Sequence, residues 1–221
     1  MSSHPNEILT RYHLRTTKQA GGLLSLFLFV ISPLFSQNSD KKTLRRFWKE
    51  QRKTFLRKER SPLDERTIRG LCHCHFNPAF QIPARVSRIG ARAVVPLATP
   101  NGWVRNHEAY AYLEFKQPGQ TPRLTVYRLT DASRLPAAYR DRLFLPVNDP
   151  TNGVQTYGGG RYIDLGPAGM EGEEGLLDFN RAYNLYCAFA EGYSCPVPPI
   201  NNRLELAIEA GECNFAATFR H

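Results

Sequence analysis

Residues 156–165 read TYGGGRYIDL, and three consecutive glycines beside an arginine are a pattern with which a backbone can hold an anion. Glycine reaches backbone angles closed to other residues, so the N–H groups of Gly158, Gly159 and Gly160 can turn toward one point, next to Tyr157 and the Arg161 guanidinium. The competing reading is a tight bend or bulge ahead of a strand. Known phosphate-binding patterns do not fit. Residues 153–159, GVQTYGG, have P-loop spacing, but Gly159 stands where lysine is required, and Ile163 breaks the dinucleotide-binding pattern. A nucleophile elbow is missing as well, because the GYSCP run ends in Pro196 rather than glycine.

Cys187 and Cys195 offer a second chemistry. In an oxidising compartment two cysteines bracketing a loop read first as a disulfide, and closing about eight residues contributes roughly 2.5 kcal/mol on the loop-entropy model. Buried free thiols are one alternative. A thiolate nucleophile is the other, with Asp178, Glu212 or Tyr183 as acid or base and the glycines as an oxyanion site; His107 is the nearest plausible histidine in the body of the domain. The CHCH run at residues 72–75 looks like a metal motif. Strand alternation would send Cys72 and Cys74 to one face and His73 and His75 to the other, which cannot complete a four-ligand zinc site. These are read as ordinary strand residues, and neither a metal nor a cofactor is expected.

The elements that must position these groups follow from periodicity and charge. Residues 23–35, LLSLFLFVISPLF, form an apolar run of signal-peptide length. Arg11, Arg15 and Lys18 lie upstream and the small residue Ser36 downstream, so residues 1–36 read as a secretory signal and the protein as exported, periplasmic or envelope-associated. The alternative is a membrane anchor at residues 20–37. The excess of Lys and Arg after it would then keep the downstream side in the cytoplasm.

The formal net charge of +9 is concentrated. Residues 37–70 hold twelve Lys/Arg against five Asp/Glu, whereas residues 71–221 hold fourteen of each, so no basic face for nucleic acid is expected on the main domain. Within the basic segment a helix is predicted from Asp40 to Arg60. Leu44, Phe47, Trp48, Phe55 and Leu56 recur at helical spacing between cations. Its stripe either packs on the domain or, with the cations, lies on a membrane surface. A short helix follows, capped by Ser61 and ended by Gly70.

From residue 71 onward the period becomes two. Eight runs, at residues 71–76, 80–89, 92–99, 108–116, 122–129, 142–147, 160–165 and 203–210, read as strands. Their spacing predicts a mainly β domain over residues 71–221, an antiparallel β-sandwich or partly open barrel with an N-terminal amphipathic helix and short capping helices. Pro83 and Pro96 belong at edges or bulges. Residues 166–175, GPAGMEGEEG, read as an acidic loop. After them Asp178 caps a short helix carrying Phe179, Ala182, Tyr183 and Tyr186, and the CPVPPINN run extends into a turn at Asn201 and Asn202. Asp178, Asn180, Asn184 and Arg203 suit a segment whose backbone polar groups are satisfied by side chains.

With these residues placed, the chain resembles a family of bacterial and archaeal proteins known as the domain of unknown function 1684. The resemblance runs from about Phe47 to Glu212. It rests on SPL at Ser61, GL at Gly70, LFLPVND at Leu143, TYGGGRYIDL at Thr156, LDFNRAYN at Leu177, CPVPP at Cys195, NRL at Asn202 and AGE at Ala210. Leu185 stands where the family pattern has proline. The resemblance implies a common fold and lends no reaction.

The expected function is that of a non-catalytic module binding a small molecule or an envelope protein. Its surface is expected to combine Tyr157, Gly158, Gly159, Gly160 and Arg161 with Asp178, Asn180, Tyr183, Asn184, Arg203 and Glu212. The alternative is a hydrolase or thiol-dependent enzyme built on the glycines and on Cys187 and Cys195.

Overall fold

The computed structural model describes residues 40–59, 61–130 and 141–216. The signal or anchor expected at residues 1–37 lies outside the described residues, as does Arg60. Helix α1, Lys41–Arg57, begins where Asp40 accepts from the Thr43 N–H at 2.6 Å. It buries Leu44 and Trp48, and Phe55 sets its ring 5.6 Å from Tyr186 and 5.4 Å from Phe189. Leu44, Phe47, Trp48 and Phe55 of its apolar stripe are therefore covered by the domain, while Leu56 and Lys41, Lys42, Arg45, Arg46 and Lys49 stay exposed. The short helix expected over residues 61–70 shrinks to one 3-10 turn, Thr67–Gly70. Asp64 accepts from the N–H groups of Arg66 and Thr67 and fixes the chain before a full helical turn can form.

Among the described residues six strands, β1 Gln81–Ala98, β2 Val104–Glu114, β3 Arg123–Leu129, β4 Leu143–Val147, β5 Arg161–Leu165 and β6 Glu174–Asp178, form one antiparallel sheet in the order β5-β4-β3-β2-β1-β6. The sheet curls into a half-barrel around Leu113, Leu124, Leu145, Ile163, Phe179 and Ile208, so the partly open barrel is the arrangement adopted and the sandwich is not. Curling follows from irregular register. Pairing shifts between Arg88 and Ala93 on β1 and between Ala109 and Ala111 on β2, and such irregularities bend a strand and increase its twist. Pro96 lies past the stretch of β1 that pairs with β6, where the missing N–H has no second strand to serve.

Further expectations need correction. The runs at 80–89 and 92–99 are one bulged strand, β1, and the cap at Asp178 leads into two 3-10 turns, Phe179–Arg181 and Tyr186–Ala188, rather than one helix. Residues 174–178, assigned to the acidic loop and the cap, make strand β6 along β1. Residues 71–76 and 203–210 are not strands. The alternation in 203–210 is genuine, with Leu204, Ile208 and Ala210 buried and Arg203, Glu205 and Glu209 exposed. Its backbone, however, is paired by side chains: Asp149 accepts from the Ile208 N–H, and Arg161 donates to the carbonyls of Ile208 and Ala210.

Asn202 does similar work between β3 and β4, which diverge beyond Tyr127 and Phe144. Its carboxamide accepts from the Thr125 N–H at 2.7 Å and donates to the carbonyls of Thr125 and Pro146, each at 2.8 Å. One side chain thereby fills a gap that a strand would otherwise occupy.

Candidate functional site

The glycine run turns the chain into β5. Gly160 has a φ of +87°, and its N–H donates to the Tyr157 carbonyl at 3.1 Å. A Cβ on Gly160 would lie 2.5 Å from Asn148 Oδ1, 2.6 Å from Pro198 and 2.8 Å from the Val147 carbonyl. The loop and the proline-rich segment thus meet in space, and this contact is what excludes any larger residue. Arg161 points inward and is fully buried. It pairs with Asp149 at 2.8 Å and donates to the two carbonyls named above. Tyr157 packs beside the cluster of Leu63, Ile68, Ala188, Phe189 and Phe215.

The acidic and amide candidates are also committed within the fold. Asp178 accepts from the Asn180 N–H and side chain and from Gln81, and Asn180 in turn clamps the backbone of Asn77 through both its N–H and its carbonyl. Glu212 is buried, accepts from the Asn184 N–H at 2.9 Å, and borders a hollow of about 10 Å³ shared with Tyr183, His73 and Trp48. Burial pushes its carboxyl up to about 8, against the opposing pull of the Asn184 hydrogen bond and of Arg161, so the carboxyl is largely neutral at pH 7. Tyr183 donates to Asp164 at 2.8 Å, and burial raises its phenol to about 12. Arg203 is exposed beside the turn Ile200–Asn202.

Four cysteines are paired. Cys187 and Cys195 stand at disulfide distance with Cα atoms 6.3 Å apart, and Cys72 and Cys213 likewise at 5.3 Å. The second pair corrects the reading of Cys72 as an ordinary strand residue. The backbone bridge between His73 and Glu212 lays the first and last parts of the domain side by side and so brings the two sulfurs together. Cys74 is left as a free thiol, held above its ordinary pKa by burial. No group of metal-ligating side chains occurs among the described residues, and none of their helices is long and apolar enough to cross a membrane.

An open cleft lies elsewhere. A cleft of about 660 Å³ runs between α1, the β1–β2 hairpin, the start of β4 and the disulfide-closed loop. Tyr183, Asn184 and Cys195 line it, whereas Tyr157, the three glycines, Arg161, Asp178, Asn180, Arg203 and Glu212 do not. The cations Lys58, Arg105 and Arg142 face it together with the rings of Trp103, Tyr186 and Tyr193. No acidic side chain lines it among the described residues.

Its walls are held from several directions. Ser194 donates to Asn101 at 2.7 Å, joining the disulfide loop to the hairpin, and the Val197 N–H donates to the Ala98 carbonyl at 2.7 Å. Asp164 accepts from both Arg142 and Tyr183, which aligns these two on the β5 side. Lys58 lies 5.6 Å above the Tyr186 ring, and that ring meets Tyr193 edge-on at 5.2 Å. Trp103 remains 69% exposed at the hairpin tip, an unusual place for so large an apolar surface. Along α1 the cleft continues into a hollow of about 610 Å³ where Glu50 and Asp141 appear, so the uniformly cationic lining ends there.

Sequence reasoning missed Trp103, Arg105, Lys58, Arg142 and Tyr193 as a set. The available signal was local: Asn101 and Gly102 form a hairpin turn, and a tryptophan and an arginine beside a tip have no core to enter.

Comparison with known proteins assigns the family. The family described as "Protein of unknown function (DUF1684)" matches residues 66–213. The solution NMR structure of an uncharacterized protein from Haloarcula marismortui is 31% identical, with a TM-score of 0.60, over 78% of this chain and 92% of that one. No curated protein matches the chain. The chain belongs to the DUF1684 family.

Proposed function

We propose that the protein is an exported, non-catalytic binding module that takes a small aromatic anion into the cleft between α1 and the loop closed by Cys187 and Cys195. The observation that carries this reading is the lining: three cations and five exposed or half-buried aromatic rings, Phe55, Trp103, Tyr183, Tyr186 and Tyr193, with no acid among the described residues. A cleft of about 660 Å³ suits a small molecule rather than a polymer. Arg105 and Arg142 suit a carboxylate or other planar anion, and Trp103 and Tyr193 suit the apolar ring attached to it.

Export is supported by the basic, apolar and small-residue order of residues 1–36 and by the pairing of four cysteines, which an oxidising compartment favours. The thiol-enzyme alternative is disfavoured because a sulfur held in a disulfide provides no thiolate, and Asp178, Glu212 and Tyr183 are each bonded within the fold.

Calorimetric titration with 2-naphthoate tests the binding reading. The wild type should bind saturably, and Arg105→Ala and Trp103→Ala should each weaken binding by about tenfold, the scale of one charge-assisted contact or one aromatic stack. Absence of saturable heat with 2-naphthoate, or equal binding by both variants, would refute it.

A further inference from the structure

The opposite side of α1 borders another concavity. A cleft of about 380 Å³ lies between this helix and residues 73–76, floored by Leu44, Trp48 and Phe76. Lys41, Arg45, Lys49 and Arg52 line it from the helix, at steps of four, four and three that place them on one face. None of the four makes an ion pair among the described residues, and no acidic side chain lines the cleft among them. His73 and His75 form the far wall, with the Trp48 ring 4.1 Å from the His73 ring. The positive field reaches that wall: burial first, and then Arg52, lowers His73 to about 4, leaving a neutral imidazole. Two acids lie behind that wall outside the lining: Glu209, whose charge acts on Cys74, and the buried Glu212, bridged through the backbone to His73.

A solvated helix face usually intersperses acids among its cations or turns its cations apart. Here four unpaired cations instead converge on one concave surface. Lys42, Arg46 and Arg57, which are exposed, and the half-buried Lys53, which pairs with Glu50 at 2.6 Å, are on the helix but not part of this lining. We infer that this cleft is a second binding site, one for phosphate groups, separate from the aromatic cleft on the other side of α1. Arg45 and Arg52 provide planar donor forks and Lys41 and Lys49 point charges, a combination matched to a ligand carrying two phosphates or a phosphate diester. Soluble polyphosphates and phospholipid headgroups share that chemistry.

The test is calorimetric titration of the full chain with inorganic pyrophosphate at low ionic strength. Two variants of equal charge change are compared: Arg45→Gln/Lys49→Gln/Arg52→Gln in the cleft and Lys42→Gln/Arg46→Gln/Lys53→Gln outside it. All six positions are exposed or half-buried, and thermal melting verifies that both variants fold. The cleft variant should weaken binding by about a hundredfold and the outer variant by about threefold or less. Equal losses would show that only total charge matters, and a wild type that gives no binding heat would remove the site; either result overturns the inference. Once pyrophosphate binds, vesicles containing phosphatidylglycerol identify the source. Competition with pyrophosphate assigns the site to headgroups, and lack of competition assigns it to soluble phosphates.

Discussion

Glu212 is a carboxyl with no counter-ion at hydrogen-bond distance among the described residues, buried beside His73, and the two make opposite contributions to stability as pH changes. Between its ordinary 4.5 and about 8, Glu212 holds a proton in the folded chain that it loses on unfolding, so stability falls as pH rises through this window. His73 remains neutral in the fold down to about 4 and accepts a proton on unfolding below 6.5, so its contribution rises with pH over that lower range. Above 6.5 only the Glu212 contribution of this pair remains. Thermal melting from pH 6.5 to 8.5 should therefore show a falling Tm in the wild type and a much flatter profile in Glu212→Gln. A wild-type Tm insensitive to pH over that range would contradict the raised carboxyl. In the buried Arg161–Asp149 pair, Arg161→Met leaves Asp149 without its counter-ion and two carbonyls without their donor. Denaturant unfolding should register a loss of about 3–5 kcal/mol.

Elements hold the site through a few non-repetitive contacts. Replacing Cys187 and Cys195 with serine releases the loop that carries Tyr193 and Ser194. Denaturant unfolding should show a loss of about 2.5 kcal/mol, and calorimetry should show weaker 2-naphthoate binding, because one wall of the cleft is no longer fixed. Strands β2 to β5 were legible because their apolar residues recur at strand spacing and turn residues bound them. Strand β6 was not legible, since a Gly-Glu-Glu-Gly run advertises a loop and becomes a strand only where β1 offers an unpaired edge. Residues 203–210 carry a strand's burial pattern but pair with backbone among the described residues only through a single bridge to Asn148, and Arg161 and Asp149 replace the rest of the ladder. Periodicity reports which side chains face inward and is silent on what the backbone bonds to. The same limit applied to the site: Tyr183, Asn184 and Cys195 stood out by local composition, whereas Arg105 and Arg142 come together only once the sheet has curled.

At the scale of the whole molecule, α1 is the divide. Its apolar stripe rests on the half-barrel, and clefts of about 660 Å³ and 380 Å³ open on either side of it, both lined by cations. Five cations of residues 37–70 face these two clefts, Lys58 the larger and Lys41, Arg45, Lys49 and Arg52 the smaller, beside a β domain whose own charges balance. The disulfide between Cys72 and Cys213 ties residues 141 apart in the chain and closes the domain covalently. The loop-entropy model gives such a closure about 5 kcal/mol, so reduction should lower Tm well beyond the effect of losing the Cys187–Cys195 bond alone, as melting of Cys72→Ser/Cys213→Ser would verify. The most direct test of the aromatic cleft is an amide NMR titration of the full chain with 2-naphthoate. Saturable shifts confined to Trp103, its indole N–H, Arg105 and residues 183–196 are the predicted result; shifts centred elsewhere, or none at saturating concentration, would contradict the assignment of this cleft as the binding site.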